Sequence, residues 1–296
     1  MANNHDVDCL LPPDMAHKAE AIGVKKAGLS SFATLTLGVL AGAFISMGAI
    51  FATVTWTGSG LPFGISRVLG GTVFSLGLIL VVVGGAELFT GNNLIVMAWA
   101  GKKISLSKLL RNWGLVYIGN FVGAVGTAAL VFLSEHHFMA DGQLGLKALA
   151  IGTAKCQIDF IPAVFKGVLA NALVCMAVWV SFSARTAFGK VVVLVPPIAA
   201  FVAAGFEHSI ANMYFIPFAL MIKDFAPDSF WVAAGASPES YESLTWLGFV
   251  KNLIPVTLGN MIGGGVLVGA VYWFIYLHPR KTGSDSVVPE KGSRHL

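Results

Sequence analysis

The stretch Gly205-Phe206-Glu207-His208-Ser209-Ile210-Ala211-Asn212 interrupts a long apolar run that extends from about residue 191 to residue 222. Glu207 and His208 are the only acidic or basic side chains in that run. A titratable group at bilayer depth is costly unless it faces the protein interior or a water-filled cavity. The pair therefore predicts a functional site within a membrane, and the rest of the chain can be interpreted around it.

Composition supports a membrane-embedded chain. Of the 296 residues, 56% are hydrophobic and 11% are charged, and the mean hydropathy is +0.77, whereas about a quarter of the residues of soluble domains are charged. The polar N-terminus lacks the apolar core of a cleaved signal peptide. Cys9, Cys156 and Cys175 are odd in number and have no metal-ligand spacing. We expect an all-α integral membrane protein without metal, cofactor or nucleic-acid partner.

Apolar runs long enough to cross a bilayer predict six transmembrane helices. The second and fifth runs exceed thirty residues, more than the roughly twenty that one straight helix needs. The second contains Gly84-Gly85-Ala86-Glu87-Leu88-Phe89-Thr90-Gly91-Asn92-Asn93, and the fifth contains the opening stretch. Polar residues and glycines there predict two broken helices whose unwound backbone lines a cavity. The six runs are 31–55, 68–100, 111–133, 160–183, 189–222 and 250–277.

The flanking segments predict the orientation. Residues 1–28 form a polar segment with a short amphipathic helix, which begins at Pro12-Pro13 and stops at Gly23. Residues 29–278 form the membrane domain, and residues 279–296 form a polar tail. Thirteen of the nineteen Lys and Arg residues lie in the N-terminal segment, the tail and the loops after the second and fourth spans. The positive-inside rule therefore predicts that both termini are cytoplasmic.

The chain contains an internal duplication. The segment Gly38–Met47 matches Gly167–Met176 with an offset of 129 residues, and Gly85-x-Glu87 with Asn92 matches Gly205-x-Glu207 with Asn212 at an offset of 120. In the last span of each half, 112–123 matches 252–263 at an offset of 140. Each repeat, about 31–133 and 160–277, has three spans. An odd number of spans predicts that the second repeat is inverted relative to the first.

Inverted repeats place the substrate path near the midplane, where half-helix N-termini present backbone N–H groups to anions. Symmetry predicts that Glu87, Glu207 and His208 lie near one another, with Asn120, Asn171 and Asn260 as polar neighbours. Simpler interpretations remain open. The two glutamates can serve only to accept orphan N–H groups at the breaks, and the three asparagines can serve only to join helices.

Three motifs resemble signatures of the formate/nitrite transporter family, and most of all its bacterial formate channels. They are Gly-Gly-Ala-Glu-Leu-Phe-Thr-Gly-Asn at 84–92, Gly-Phe-Glu-His-Ser-Ile-Ala-Asn-Met at 205–213 and Asn-Leu-Ile-Pro-Val-Thr-Leu-Gly-Asn at 252–260. The similarity extends from about residue 10 to residue 277. It implies a homopentamer of aquaporin-like protomers, each with its own pore, that carries formate or similar small monovalent anions across the bacterial inner membrane.

The resemblance also implies roles for individual residues. His208 matches the central pore histidine, and Thr90 lies on an omega-shaped loop that breaks the second span. Lys155 matches a lysine that attracts anions at the outer vestibule, although Cys156 and Gln157 after it depart from the formate-channel pattern. The remaining matches are the cytoplasmic constriction of Leu78, Phe89 and Val174, the outer constriction of Phe74 and Phe201, and the buried network of Glu207, Asn171 and Asn260. By themselves, the phenylalanines fit ordinary packing and Lys155 fits a solvated loop.

An apolar constriction strips an anion of its hydration, which is the main barrier to conduction. Histidine titrates near physiological pH, so we expect His208 to donate a hydrogen bond or a proton to the anion. Passage as an anion paired with imidazolium and passage as the neutral acid both remain open, as does gating by the N-terminal helix in response to pH. A nitrite or hydrosulfide channel is an alternative. An intramembrane enzyme with His208 and Glu207 as acid and base is disfavoured, because no nucleophile, paired metal ligands or flavin or haem signature accompanies them.

Overall fold

The computed structural model describes residues 9–278, and all regular structure within that range is helical. The predicted C-terminal tail, its basic residues and the first eight residues lie outside the described part of the chain. The all-α membrane fold, with breaks in the second and fifth spans, is confirmed. Five helical segments among the described residues are long and apolar enough to cross a membrane. The remaining span, which is the fifth in chain order, is formed by two 17-residue helices on either side of a break.

The described residues of the first half form five α-helices. The second span consists of α3, an irregular break, a 3-10 turn at Gly91–Ile95 and the short α4. The helices are α1 (Pro12–Ala27), α2 (Ser31–Trp56), α3 (Phe63–Gly84), α4 (Val96–Ala100) and α5 (Leu106–Leu133).

The second half repeats this order with different lengths. The fifth span is broken between α8 and α9, and the last span passes through a π-helical segment, Ile262–Ala270, before its final turns. The helices are α6 (Gln143–Cys156), α7 (Phe160–Ser183), α8 (Ala187–Ala203), α9 (Ser209–Phe225), α10 (Asp228–Ala234), α11 (Trp246–Met261) and α12 (Val271–Tyr276).

Glycine ends the first half of each broken helix. Gly85 follows α3 with φ 83°, and Gly205 follows α8 with φ 74°. Both lie in the left-handed region, which glycine enters without the steric penalty of a Cβ atom. The pattern of Gly-x-Glu after an apolar run is therefore a helix stop followed at once by a buried carboxylate.

Small residues determine how closely the spans pack within each repeat. A Cβ atom on Gly123 of α5 would lie 2.0 Å from the carbonyl oxygen of Val39 on α2, and one on Gly263 would lie 2.1 Å from that of Val168 on α7. Only glycine permits backbones to approach so closely. The matching distances show that the first and last spans of the two repeats are packed alike.

Helix α1 differs from the prediction. It does not stop at Gly23 but continues to Ala27 and is capped by Gly28. Gly23 is instead a packing position, since a Cβ atom there would lie 3.0 Å from that of Ala98 on α4. The helix therefore lies against the membrane domain rather than apart from it.

Candidate functional site

Two cavities open toward opposite ends of α3. The first, of about 240 Å³, is lined by Lys18 and Lys26 of α1 and by Leu78 and Val81 of α3. The second, of about 260 Å³, is lined by Arg67 and Phe74 near the other end of α3, together with Lys155, Glu207 and His208. Phe74 and Leu78 are four residues apart, or about 6 Å along a helix axis. The barrier between the two cavities is thus about one helical turn thick.

A buried polar network supports the first break. The Glu87 carboxylate pairs with the Lys26 amine at 3.0 Å and accepts a hydrogen bond from the Asn92 amide at 2.7 Å. Asn92 also donates to Asn112 and accepts from Lys26. Asn120 accepts from the Phe89 backbone N–H and donates to the Glu87 carbonyl, which joins the break to α5.

The second break repeats these contacts. Glu207 pairs with Lys155 at 3.0 Å and accepts from Asn212 at 2.7 Å. Asn212 donates to Asn252. Asn260 accepts from the Ser209 backbone N–H and donates to the Glu207 carbonyl. The equivalent positions are Lys26 and Lys155, Glu87 and Glu207, Asn92 and Asn212, Asn112 and Asn252, and Asn120 and Asn260.

The repeat is longer than its three spans. Lys26 and Lys155 are 129 residues apart, the same offset that relates Gly38 to Gly167. Helix α1 is therefore the counterpart of α6, and each repeat has a short helix in front of its first span. Lys26 was missed because α1 was interpreted as a separate segment, although the shared offset was a signal that could have identified it.

The expectation that Glu87 and Glu207 meet at one site needs correction. Glu87 lines the first cavity and Glu207 the second, and each is bound into its own network. Lys155 likewise is not a solvated loop residue. It lies on α6, and its side chain is only 15% exposed. Each break holds its own buried ion pair because the two breaks face opposite cavities.

The centre of the site is a contact between the two breaks. The Nε2 atom of His208 lies 2.9 Å from the Thr90 hydroxyl, and both side chains are buried. The Nδ1 atom of His208 accepts a hydrogen bond from the Ala211 backbone N–H at 3.1 Å, so His208 caps the N-terminus of α9. An amide N–H can only donate, so Nδ1 carries a lone pair and the neutral ring has its proton on Nε2. His208 therefore donates to Thr90.

Helix α7 holds the Thr90 backbone in place. The carbonyl of Thr90 accepts from the Cys175 thiol at 3.2 Å and from the Asn171 amide at 3.3 Å. Asn171 makes shorter contacts with the Asn93 side chain and the Asn260 carbonyl. It therefore links the first break to the last span. Cys175 was not identified as a site residue from the sequence.

Only some of the residues predicted to form the two constrictions lie at the cavities. Phe74 and Phe201 meet edge to face at 5.8 Å between ring centroids, and the Phe201 ring lies 5.9 Å from that of His208. Leu78 lines the first cavity. Phe89 and Val174 are buried but line neither cavity.

Phe89 instead packs its ring against those of Tyr117 and Trp113 on α5, at 5.0 Å and 6.2 Å. Its neighbour Leu88 lines the first cavity. Leu88 lies 120 residues before His208, which is the offset between the two breaks. An apolar residue and a titratable one thus occupy equivalent positions on opposite sides of the barrier.

Three backbone N–H groups at the breaks donate to side chains of the protein itself. The N–H groups of Ser209 and Phe89 donate to asparagine side chains, and that of Ala211 donates to His208. The expectation that these N–H groups face an anion is therefore wrong for these three positions. The protein's own side chains satisfy them, and positive charge at the cavities comes from lysine and arginine.

Among the described residues, each cavity is lined by three cationic side chains and one carboxylate. The first has Lys18, Lys26, Lys190 and Glu87. Burial, together with the nearby charges of Lys190 and Arg185, lowers the pKa of the Lys18 amine. The second has Arg67, Lys155, Lys166 and Glu207. Among the described residues, no group of three or more potential ligands is arranged to hold a metal ion.

Comparisons with known proteins agree with this architecture. The Formate/nitrite transporter family matches residues 13–274. The chain is 49% identical to the formate channel FocA of Escherichia coli (strain K12) over 279 residues, which cover 94% of this chain and 98% of the relative. It is 42% identical to the formate channel FocA of Haemophilus influenzae over 262 residues, which cover 88% of this chain and 92% of the relative.

Solved structures show the same similarity. A structure described as a pentameric formate channel with formate bound has a TM-score of 0.80 and 47% identity, and the match covers 83% of this chain and 98% of that chain. An FNT family ion channel has a TM-score of 0.76 and 26% identity, with 88% and 98% covered.

Six helical spans, two of them broken, with opposed cationic cavities, define a multi-pass membrane transport protein. The chain belongs to the formate/nitrite transporter family. The family resemblance of the three motifs is thereby confirmed.

Proposed function

We propose that this protein assembles as a homopentamer and conducts formate, and related small monovalent anions, through a pore in each protomer. The relatives named as formate channels and the formate-bound pentameric structure support this proposal. The observation that carries it is the Thr90–His208 hydrogen bond at 2.9 Å, which joins the two breaks between the two cationic cavities. The anion crosses the membrane without chemical conversion by the protein.

An anion enters either cavity because each carries an excess of positive side chains. Charged clefts with low-dielectric walls concentrate ions of opposite sign and raise the rate of entry. Lys26 and Lys155 lie at the breaks themselves, because each is paired with the glutamate at its own break. The pairing keeps the amine in place, while the other lysines and Arg67 provide the net charge.

The anion then loses its hydration at Leu78 on one side and at Phe74 and Phe201 on the other. The cost of desolvation is large unless hydrogen bonds replace the water. Thr90 is suited to this task because it accepts from His208 and so keeps its own hydroxyl proton free to donate. We therefore assign a hydrogen bond to the anion to the Thr90 hydroxyl, which is oriented by His208 at the wall of the second cavity.

Charging the His208 ring requires a rearrangement. An imidazolium ion has a proton on both nitrogens, and a proton on Nδ1 would face the Ala211 N–H that now donates to it. The cap of α9 therefore favours the neutral ring while it is intact. Both routes first need a second proton on the ring: passage paired with imidazolium keeps that proton there, whereas passage as the neutral acid transfers it to the anion and returns the ring to its neutral form.

The same geometry disfavours an enzyme. The Thr90 hydroxyl lies beside His208, although the sequence indicated no nucleophile there. The Nε2 atom that faces this hydroxyl is a donor and cannot accept its proton. A nucleophile needs a base in that position. A channel for nitrite or hydrosulfide of the same family remains the second candidate, and comparative flux separates it from a formate channel.

We place the protein in the bacterial inner membrane, with both termini on the cytoplasmic side. The distribution of Lys and Arg residues supports this orientation. In it, α1 and the first cavity face the cytoplasm, and α6 and the second cavity face the periplasm. Residues 1–28 then form the cytoplasmic N-terminal segment, 29–278 the channel domain and 279–296 the cytoplasmic tail, and α1 is placed where it can respond to cytoplasmic pH.

The test is formate flux into proteoliposomes across pH for the wild type, His208→Asn and the control His278→Asn, an exposed histidine near the end of α12. Nitrite, hydrosulfide and chloride serve as comparators. We expect a pH-dependent formate flux that His208→Asn loses and His278→Asn keeps, with all three forming the same oligomer. Equal formate flux and pH dependence in His208→Asn would contradict the role of His208. Faster nitrite or hydrosulfide flux in the wild type would favour the second candidate.

A further inference from the structure

The loop between α4 and α5 carries a basic cluster far from the two breaks. Lys102, Lys103 and Lys108 are exposed. Together with Trp99 they line a shallow surface depression of about 450 Å³. The depression is separate from both cavities of the candidate pore, whose lining residues it does not share.

Among the described residues, no carboxylate forms an ion pair with this cluster. The ion pairs within residues 9–278 are Lys26–Glu87 and Lys155–Glu207, so none involves the three lysines. No acidic residue occurs between Glu87 and Glu135 in the sequence. The Glu20 carboxylate of α1 lies against Gly101, close to the loop, yet it forms no ion pair there. The cluster therefore presents positive charge to whatever lies outside it.

The backbone of the loop holds a lysine where glycine is usual. Lys102 has φ 56°, and the N–H groups of Lys102 and Lys103 donate to the carbonyls of Trp99 and Ala98, both at 2.9 Å. These bonds form a helix cap whose left-handed position is usually glycine. Glycine occupies the position just before it, Gly101. A side chain retained in a strained conformation is a pointer to function.

Apolar residues beside the cluster indicate its depth in the membrane. Trp99 is 41% exposed, and Leu106 and Leu110 at the start of α5 are 49% and 54% exposed. Tryptophan is enriched where the hydrocarbon core meets the headgroups, and lysines near the ends of spans extend toward the same layer. Together these place the three amines at the level of lipid phosphates.

We propose that the basic cluster formed by Lys102, Lys103 and Lys108 binds the phosphate of an anionic phospholipid headgroup. Lysine clusters next to a membrane span attract anionic lipids, with each lysine strengthening binding. The apolar residues Leu106 and Leu110 continue the site toward the hydrocarbon core, where the acyl chains lie. A free phosphate ion would make no favourable contact with these apolar residues. The site does not depend on what the pore conducts.

The test uses the full-length oligomer, delipidated in a neutral detergent and titrated with phosphatidylglycerol or phosphatidylcholine, with bound lipid counted by native mass spectrometry. The variant Lys103→Gln/Lys108→Gln removes two charges and leaves the strained position untouched. The matched control Lys147→Gln/Lys251→Gln removes two charges elsewhere on the chain. We expect phosphatidylglycerol to bind the test variant about thirtyfold more weakly than the wild type, and the control to bind it like the wild type.

Three results would overturn the proposal. They are equal phosphatidylglycerol binding by the test variant and the wild type, equal binding of phosphatidylcholine and phosphatidylglycerol by the wild type, and an equal loss in the control. Displacement of phosphatidylglycerol by millimolar inorganic phosphate would assign the cluster to a free anion and would also overturn it. Thermal unfolding in phosphatidylcholine alone checks that the test variant is folded. None of these measurements uses formate flux, so their outcome is independent of the proposed channel function.

Discussion

The two breaks share one supporting frame but differ at their centres. Each has a glycine stop, a glutamate paired with a lysine from the preceding short helix, and an asparagine that joins the break to the next span. At the centre, Leu88 and Thr90 of the first break correspond to His208 and Ile210 of the second. The helices that follow also differ, since α4 has five residues and α9 has seventeen.

This difference indicates that the shared frame supports the structure and that the differing central residues determine selectivity. The residues that both repeats share satisfy buried polar groups in both halves, as any break within a membrane requires. Thr90 and His208 have no equivalent of the same type in the other repeat. They meet each other across the centre. Duplication therefore accounts for the frame, and the asymmetry of the repeats accounts for the site. Substitutions in the frame should therefore change stability most, and substitutions at the centre should change flux most.

The largest effect is expected where the two repeats pack identically. Gly123→Ala and Gly263→Ala each place a Cβ atom within 2.1 Å of a backbone carbonyl oxygen, and backbone cannot move aside easily. We expect each to lose about 3 kcal/mol of stability or more and little folded oligomer to survive detergent extraction, as measured by gel filtration. The control is Gly126→Ala, which meets no atom within 4 Å and should be neutral or slightly stabilising. Tolerance of one substitution but not the other would show that the repeats pack differently.

The two ion pairs should differ in strength. The Lys155 amine donates hydrogen bonds to the Glu207 carboxylate alone, whereas the Lys26 amine contacts both Glu87 and Asn92. The Lys26 side chain is also more exposed, at 28% against 15%. Glu207→Gln should therefore cost about 3 kcal/mol, because a poorly solvated amine loses its partner. Glu87→Gln should cost about 1 kcal/mol, nearer the value for an exposed pair.

Thermal unfolding of the purified oligomer measures this difference, with the exposed Glu135→Gln as a control that should change nothing. Equal costs for Glu207→Gln and Glu87→Gln would mean that the frame is equally strong on both sides.

The Thr90 hydroxyl should matter for flux more than for folding. Thr90→Val preserves the shape of the side chain but leaves the Nε2–H group of His208 without an acceptor. An unsatisfied buried donor costs about 1–3 kcal/mol, and the anion loses its hydrogen bond as well. We expect formate flux to fall about tenfold or more, while Thr90→Ser keeps most of it. Ile210→Val, at the equivalent position of the second break, should leave flux unchanged. A Thr90→Val channel with wild-type flux would remove Thr90 from the anion's path.

The smallest effect concerns the turn that ends the first broken helix. Lys102 pays a steric penalty in the left-handed region that glycine avoids. Lys102→Gly should raise stability by up to about 1 kcal/mol in detergent without anionic lipid. Lys108→Gly, in the first turn of α5, should lower it by up to about 1 kcal/mol. The thermal midpoints of the two variants should shift in opposite directions, and a loss of stability in Lys102→Gly would contradict the strain.

Much of the frame could be predicted from local signals. Apolar runs located the spans, and Gly-x-Glu within two of them located the breaks. The offset between Glu87 and Glu207 related the halves. These inferences succeed because a bilayer imposes length and polarity on each segment independently of its neighbours. The pairing of α1 with α6 was missed, because a short helix that does not cross the bilayer carries no such signal.

The sequence by itself determined that the chain crosses a membrane six times, that two crossings are broken and that His208 lies at the second break. Only the tertiary structure decided what these residues contact. It placed Glu87 and Glu207 in separate networks, turned Phe89 toward α5, and brought Thr90 to His208 across 118 residues of chain. It also oriented the imidazole through the Ala211 N–H group. Periodicity and hydropathy report the solvent around a segment, whereas hydrogen-bond partners depend on distances between segments that no local pattern encodes.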